Sequence, residues 1–135
     1  MFYIEGGDIY IHRGDSASFD IVFGEEIDEE VLDSENQIIV KDVYGINWVP
    51  ENGTHIRFTV KCDVNREKAL IQKDYVVWNG FVCIDLESKD TRALPFGEYV
   101  WDVCVSFDNA DTVDWNTPFN PFTFTVCDAV GNKYK

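Results

Sequence analysis

The stretch that decides the fold is Ile56-Arg57-Phe58-Thr59-Val60-Lys61-Cys62-Asp63-Val64. Apolar residues occupy every second position, and charged or polar residues stand between them. Successive side chains of a β-strand point to opposite faces of a sheet, so a period of two indicates a strand with one buried face. The sequence therefore predicts a half-buried antiparallel strand here, with Cys62 on its apolar side.

Similar short strands are predicted on both sides of this one. Their ranges are 9–12, 19–23, 37–44, 69–73, 75–78, 81–86, 99–107 and 119–127. Turn-forming residues separate them, and Asn79-Gly80 is the strongest hairpin signal of the chain. About seven to nine short strands with turns between them are typical of an all-β sandwich or barrel.

A second signal narrows the type of sandwich. Leu94, Gly97 and Tyr99 precede and begin a strongly apolar strand. In immunoglobulin-like domains a tyrosine at this place bonds through its hydroxyl to the preceding loop, an arrangement called the tyrosine corner. We therefore expect an immunoglobulin-like antiparallel β-sandwich with such a corner at Leu94, Gly97 and Tyr99.

Residues 1–135 are expected to form one such domain, because the length fits a single core and no linker or repeat is visible. Residues 24–36 are rich in Asp and Glu and are expected to form an acidic loop with one helical turn. A second loop with a helical turn is expected over 90–97, and the polar tail 131–135 is expected to be mobile.

The charge of the chain excludes several classes of partner. It carries 25 Asp and Glu against 11 Lys and Arg, which gives a net charge of −14. Nucleic acid and anionic membranes both require a basic face, so neither is an expected partner, whereas a basic protein is compatible. No basic leader and no long apolar run is visible, so the protein is expected to be made in the cytoplasm without a signal peptide.

The cysteines, Cys62, Cys83, Cys104 and Cys127, show no CxxC spacing, which argues against a zinc site. Each lies in a predicted strand, and the simplest interpretation is reduced thiols packed as small apolar side chains. Alternation places Cys104 and Cys127 on the polar sides of their strands. If these strands are antiparallel neighbours, the two thiols can lie close together, and the sequence leaves a disulfide open.

No arrangement suited to catalysis is visible. His12 and His55 are the two histidines, and neither has a neighbouring motif, so both are interpreted as surface residues. The sequence lacks the common nucleophile, metal and phosphate-binding motifs, and the acidic loop lacks the ligand spacing of a calcium site. We therefore predict no catalytic residue, no metal, no cofactor and no enzymatic activity.

Two short motifs are explained by turns. Arg13-Gly14-Asp15-Ser16 contains the integrin-binding tripeptide, but a turn between two strands accounts for Gly14 and Asp15. Asn52-Gly53-Thr54 matches the glycosylation sequon and is also interpreted as a turn.

Five segments are informative when they are taken together in order: 9–19, 56–61, 90–103, 111–113 and 122–124. The most specific part is Asp-Thr-x-x-Leu-x-x-Gly-x-Tyr at 90–99. Over residues 8–128 these segments resemble small proteins of phages and prophages of Gram-positive bacteria, which are similar to the N-terminal immunoglobulin-like domain of the phage baseplate upper protein. The baseplate protein continues into a long C-terminal part that has no counterpart in this sequence, and the acidic segments 25–36 and 42–52 look longer than usual.

The resemblance implies a virion structural protein without catalysis that docks one tail or baseplate component to another. Its expected partners are other virion or tail proteins, with self-association as an alternative, and its position in the particle stays open. Tyr44, Trp48 and Trp115 are the candidate interface residues, because aromatic residues outside the alternating strands often anchor interfaces. The protein would then be made in the bacterial cytoplasm and end in the virion.

A carbohydrate-binding β-sandwich is the alternative function. Trp48, Trp78 and Trp115 offer flat faces that can stack on sugars. Trp101 is expected in the core, because it lies on the apolar side of its strand.

Overall fold

The computed structural model describes residues 2–23, 37–40, 51–63, 65, 68–106, 115–116 and 121–127. The predicted acidic loop at 24–36 and the tail at 131–135 lie outside these residues. Within them the chain is mostly strand, with one short helix, α1, at Ser88–Arg92. The helix gives the loop expected over 90–97 its helical turn, beginning two residues earlier than predicted.

The strands, in chain order, are β1 Phe2–Glu5, β2 Asp8–His12, β3 Ala17–Phe23, β4 Gln37–Val40, β5 His55–Lys61, β6 Ile71–Val76, β7 Phe81–Leu86, β8 Gly97–Ser106, β9 Trp115–Asn116 and β10 Phe122–Cys127. They form two sheets. The seven-stranded sheet has the order β1-β2-β10-β8-β5-β6, with β9 paired to β8, and the three-stranded sheet has the order β4-β3-β7. The predicted all-β sandwich is confirmed, and two of its pairings, β2 with β10 and β3 with β4, are parallel.

The core lies between the two sheets and draws apolar side chains from both. Phe58 of β5 is fully buried, and its ring centre lies 5.9 Å from that of Phe19 in the small sheet and 5.5 Å from that of Trp101 in β8. Trp101 is 1% exposed, which confirms its predicted place in the core. The alternation in β5 and β8 therefore identified the faces that pack.

The turn between β1 and β2 closes one end of this core. The indole Nε1 of Trp101 donates a 2.9 Å hydrogen bond to the carbonyl oxygen of Gly7. The ring of Phe122 stacks on Trp101 with centroids 5.4 Å apart. A Cβ atom on Gly7 would lie 2.6 Å from carbon atoms of the Phe122 ring, so this position has no room for a side chain.

Two strand predictions differ from the structure. β1 was not predicted, although Phe2-Tyr3-Ile4-Glu5 pairs antiparallel with β2 along its whole length. The segments 69–73 and 75–78 were predicted as one strand or a pair with a break near Asp74, and residues 71–76 form the single strand β6 without that break. Asp74 does not break the strand, because its carboxylate points away from the core and pairs with Arg57 of β5.

The Asn79-Gly80 turn has the two-residue geometry that was predicted. Both residues have positive φ, 57° and 81°, and the residues on either side exchange two backbone hydrogen bonds of 3.3 Å. The flanking strands diverge at once, however, since β6 belongs to the large sheet and β7 to the small one. The turn therefore carries the chain from one sheet to the other.

Candidate interaction surface

The predicted interface aromatics are not brought together by the described part of the chain. Tyr44 and Trp48 lie outside the described residues. Trp115 begins β9, where its backbone pairs with Ser106 at the end of β8, and its side chain is not among the described ones. A continuous surface is formed instead by residues of the large sheet.

Tyr99 stands where the loop after α1 enters β8. Its hydroxyl donates a 2.7 Å hydrogen bond to the carbonyl oxygen of Pro95, four residues back in that loop. Leu94 is buried in the core, and its N–H bonds the carbonyl of Thr91 at 3.1 Å. Together with Gly97, the first residue of β8, these side chains fix the angle at which the loop meets the strand.

The Arg13–Ser16 turn is held against α1. The N–H of Gly14 donates to the hydroxyl of Thr91 at 2.9 Å, and the guanidinium Nε of Arg13 donates to the carbonyl of Arg92 at 3.1 Å. Arg13 and the backbone of Gly14 thus make contacts within the protein itself. These contacts support the interpretation of the tripeptide as a turn between two strands.

We call the side of the large sheet that points away from the core the outer face. Strand by strand from β1 to β6, with β9 left out, it carries Tyr3, Glu5, Asp8, Tyr10, His12, Thr123, Thr125, Cys127, Glu98, Val100, Asp102, Cys104, Ser106, His55, Arg57, Thr59, Lys61, Gln72, Asp74 and Val76. The strand registers arrange these side chains in rows across the sheet.

At one end of the outer face two tyrosines stack on each other. Tyr3 pairs with Tyr10 across β1 and β2, with ring centroids 4.6 Å apart and an angle of 12° between the rings. The same row continues through Thr125 of β10 to Glu98 of β8. Tyr3 is 43% exposed, so this pair, the tyrosine ledge, is accessible from solvent.

Carboxylates lie on one side of the tyrosine ledge and at the end of its row. Glu5 and Asp8 pair in the adjacent row, and Glu98 ends the row of the ledge itself. Desolvation by its surroundings raises the pKa of Tyr10, and the nearby ionisable groups Asp8, Tyr3, Glu5 and Glu98 raise it further. Among the described residues none of the three carboxylates is in an ion pair.

A shallow pocket of about 60 Å³ lies near the middle of the outer face, lined by Thr59, Lys61, Val100, Trp101, Asp102 and Pro121. It has room for a few water molecules and is well below the size of ordinary ligand pockets. Burial raises the pKa of Asp102, and the positive charge of Lys61 offsets part of that rise. The pocket is therefore a recess in a surface.

The other end of the outer face is electrically neutralised. Arg57 donates from Nε and Nη2 to the two carboxylate oxygens of Asp74, at 2.8 and 3.1 Å. Val76 ends β6 and is exposed, and Trp78, two residues later, is 59% exposed. The two ends thus differ, because Asp74 is paired with Arg57, whereas Glu5, Asp8 and Glu98 are in no ion pair within the described part of the chain.

The four cysteines are outside disulfides, and Cys104 and Cys127 face away from the core as alternation predicted, but the predicted packing of the thiols as small apolar side chains was wrong. Cys62 and Cys83 are exposed, while Cys104 and Cys127 are half-buried on the outer face. β5 ends at Lys61, so Cys62 falls beyond the alternating pattern that had placed it inside.

A disulfide between Cys104 and Cys127 does not fit the sheet. Their strands, β8 and β10, are antiparallel neighbours, but Val126 pairs with Gly97 at the very start of β8. Cys127 therefore lies level with the beginning of β8, roughly 25 Å from Cys104 along the strand direction. Neither cysteine is in a disulfide.

His12 and His55 lie at opposite ends of the outer face. His12 pairs with Cys127 beside the tyrosine ledge, and His55 pairs with Ser106 at the far end of β8. Strand geometry separates them by roughly 30 Å. Within the described ranges, no group of three His, Cys, Asp or Glu is placed to hold a metal ion. The same ranges contain no helix long and apolar enough to span a membrane.

Tyr3 and Tyr10 were not singled out from the sequence. The alternation of Phe2-Tyr3-Ile4-Glu5 was an available signal for β1 and for an outward Tyr3. That Tyr3 would stack on Tyr10 depends on the register of the two strands, which the pattern does not contain.

The fold and the surface define the class of protein as an all-β sandwich with an aromatic and acidic region on one sheet face. No family model, curated protein or solved structure matches the chain.

Proposed function

We propose that this protein is a non-enzymatic structural or accessory component of a phage or prophage virion, a tail- or baseplate-type assembly module. It would act by binding other virion proteins through the outer face of the large sheet. The proposal combines the resemblance carried by residues 90–103 with the geometry of that face.

The sheet order supports an immunoglobulin-like topology. In such sandwiches strands C, F and G are neighbours in one sheet, and strands B and E pair in the opposite sheet. Here β5, β8 and β10 are neighbours in the large sheet, while β3 and β7 pair in the small one. The Tyr99–Pro95 hydrogen bond lies at the place where such domains have their tyrosine corner.

The observation that carries the functional proposal is the content of the outer face. It combines an aromatic pair, acids outside the described ion pairs and a shallow recess on one sheet. Aromatic rings often anchor protein interfaces, and the acids favour a partner of opposite charge. The separation of His12 from His55 gives no support to acid–base chemistry, which needs its groups within hydrogen-bond reach of one substrate.

A pairwise binding experiment tests this proposal. Tail, baseplate, neck and head proteins encoded beside this chain would each be co-purified with it, and complexes sized by light scattering. Val100→Arg places a large basic side chain in the middle of the outer face, and Cys83→Arg places the same side chain on the outer face of the small sheet. We expect Val100→Arg to abolish a complex that Cys83→Arg preserves. Failure of every neighbouring virion protein to bind, or equal loss with both variants, would contradict the proposal.

Carbohydrate binding is the second candidate, and the exposure of Trp78 favours it. The two rings of the tyrosine ledge cover each other and do not form a side-by-side platform, so Trp78 is the candidate stacking residue. A glycan array with Trp78→Ala as the matched variant tests this function. Sugar binding that disappears in the variant would support it, and an array without signal for the native protein would exclude it.

A further inference from the structure

We infer that the tyrosine ledge, with Glu5, Asp8 and Glu98 around it, is the docking point for an arginine side chain on a basic segment of the partner protein. This inference rests on the proposed binding function and specifies the chemistry of the partner.

The arrangement of the ledge supplies the first argument. Tyr3 and Tyr10 stack at 4.6 Å on the outermost strand pair of the large sheet, and Tyr3 keeps 43% of its surface exposed. A guanidinium group can lie against an aromatic face or edge there, where cation–π attraction adds to ordinary apolar contact. Backbone pairing of β1 with β2 already places the two rings against each other, so little ordering is needed before a partner binds.

Charge supplies the second argument. Glu98 stands in the row of the ledge, and Glu5 with Asp8 in the adjacent row, so three carboxylates border two rings. Asp8 keeps one oxygen in a 3.0 Å hydrogen bond from the N–H of Thr123, which fixes its position and leaves its negative charge in place. Asp74 differs from these three acids, because Arg57 already neutralises its charge. An arginine of a partner would supply the same neutralisation at the ledge.

The choice of arginine follows from its shape. Its planar guanidinium stacks on aromatic rings and donates paired hydrogen bonds to carboxylates, whereas a lysine ammonium is a compact and strongly hydrated charge. The net charge of −14 adds long-range attraction for any basic segment, and the ledge would provide the discrimination between the two cations.

The experiment compares labelled hexa-arginine and hexa-lysine peptides by fluorescence anisotropy at physiological salt. We expect tighter binding of hexa-arginine. Tyr10→Leu, which keeps apolar bulk, and Glu98→Gln, which keeps shape, should each weaken hexa-arginine binding by about two- to fivefold. Glu51→Gln removes one exposed acid near the start of β5, at the other end of the sheet, and should change affinity by less than twofold.

Equal losses in Glu98→Gln and Glu51→Gln, or equal affinity for both peptides without dependence on Tyr10, would overturn the inference and leave net charge as the whole explanation. Thermal unfolding verifies that each variant is folded, and Glu98→Gln changes an exposed side chain only. If Val100→Arg still disrupts a virion complex while the ledge variants bind both peptides like the native chain, the proposed function stands and the arginine site does not.

Discussion

The two faces of the large sheet are built from the same strands under opposite rules. On β8 the inner face carries Tyr99, Trp101, Val103 and Val105, and all four are buried in the core between the sheets. The outer face of the same strand carries charged, polar and small residues that are half-buried or exposed, apart from Ser106 at its end. Burial determines which residue types occupy the inner face. On the outer face, the pairing of the strands determines which side chains lie next to each other.

This difference separates what stability requires from what binding requires. Inner residues contribute through apolar area removed from water, so their loss should be costly wherever it occurs. Outer residues form surface pairs that contribute little to folding and can be selected for contacts with a partner. Substitutions on neighbouring positions of one strand should therefore have very different effects.

The largest expected effect comes from Phe58→Ala on the inner face of β5. Phe58 is fully buried between Phe19 and Trp101, and truncation of such a ring costs about 3–5 kcal/mol. The adjacent outer-face variant Arg57→Ala removes a surface ion pair with Asp74 and should cost less than about 1 kcal/mol. Urea denaturation of both variants measures the difference. If both variants lost a similar amount of stability, the inner face of β5 would not contribute more to stability than its outer face.

The next largest effect is expected at the turn between β1 and β2. Gly7→Ala puts a Cβ 2.6 Å from the Phe122 ring, and relief of that overlap would disturb the Trp101 hydrogen bond to the Gly7 carbonyl. Such overpacking typically costs about 1–3 kcal/mol.

Gly6→Ala in the same turn is the matched control. Gly6 has a φ of 72° and open space around it, so its cost is that of a left-handed alanine, about 1 kcal/mol. Denaturant midpoints decide between them, and a Gly6→Ala variant less stable than Gly7→Ala would mean that backbone strain outweighs the contact with Phe122.

Most of the inner face could be predicted from the sequence, because every second residue of its strands must be apolar to be buried. Alternation placed Phe58 and Trp101 in the core, and the Asn79-Gly80 pair located a turn whose positive φ angles few other residues accept. Cys62 was misplaced because the alternation of the sequence continues past Lys61, where β5 ends.

The outer face could not be predicted in the same way. The tyrosine ledge exists only because the β1–β2 register sets Tyr3 opposite Tyr10, and the row reaches Glu98 through the parallel pairing of β2 with β10. The β1–β2 register depends on the turn at Gly6-Gly7 as well as on alternation, and the parallel pairing joins segments far apart in the chain, which local alternation does not indicate. Polar residues in a strand indicate only which side faces away from the core.

An intermediate effect is expected at Tyr99, which joins the inner face to the loop before β8. Tyr99→Phe keeps the ring in the core and removes only the 2.7 Å hydrogen bond to Pro95. The expected cost is about 1 kcal/mol, the usual contribution of one hydrogen bond. Thermal and urea unfolding would measure it, with His55→Gln at the far end of the sheet as a control. An unchanged stability would show that water replaces the bond at no cost.

The smallest effect is expected on the outer face, at Asp102, and it depends on pH. Burial raises the folded-state pKa of this carboxyl, so the native protein holds its proton more tightly than the unfolded chain does. The resulting stability is fully present below the ordinary aspartate pKa of about 3.9 and is lost as pH rises through the raised value. Asp102→Asn lacks this loss, so it should gain stability relative to the native protein over that pH window and keep the gain at neutral pH.

Urea unfolding at a series of pH values from about 3.5 to 7 measures this difference. Lys61→Gln is the second variant. It removes the cation that opposes the rise in the Asp102 pKa, so the pH range over which the fold loses stability should become wider. The two variants therefore shift the pH dependence in opposite directions. If the difference in the free energy of unfolding between Asp102→Asn and the native chain stays constant with pH, packing around the recess causes it and titration does not. Packing would then matter on the outer face as it does on the inner face.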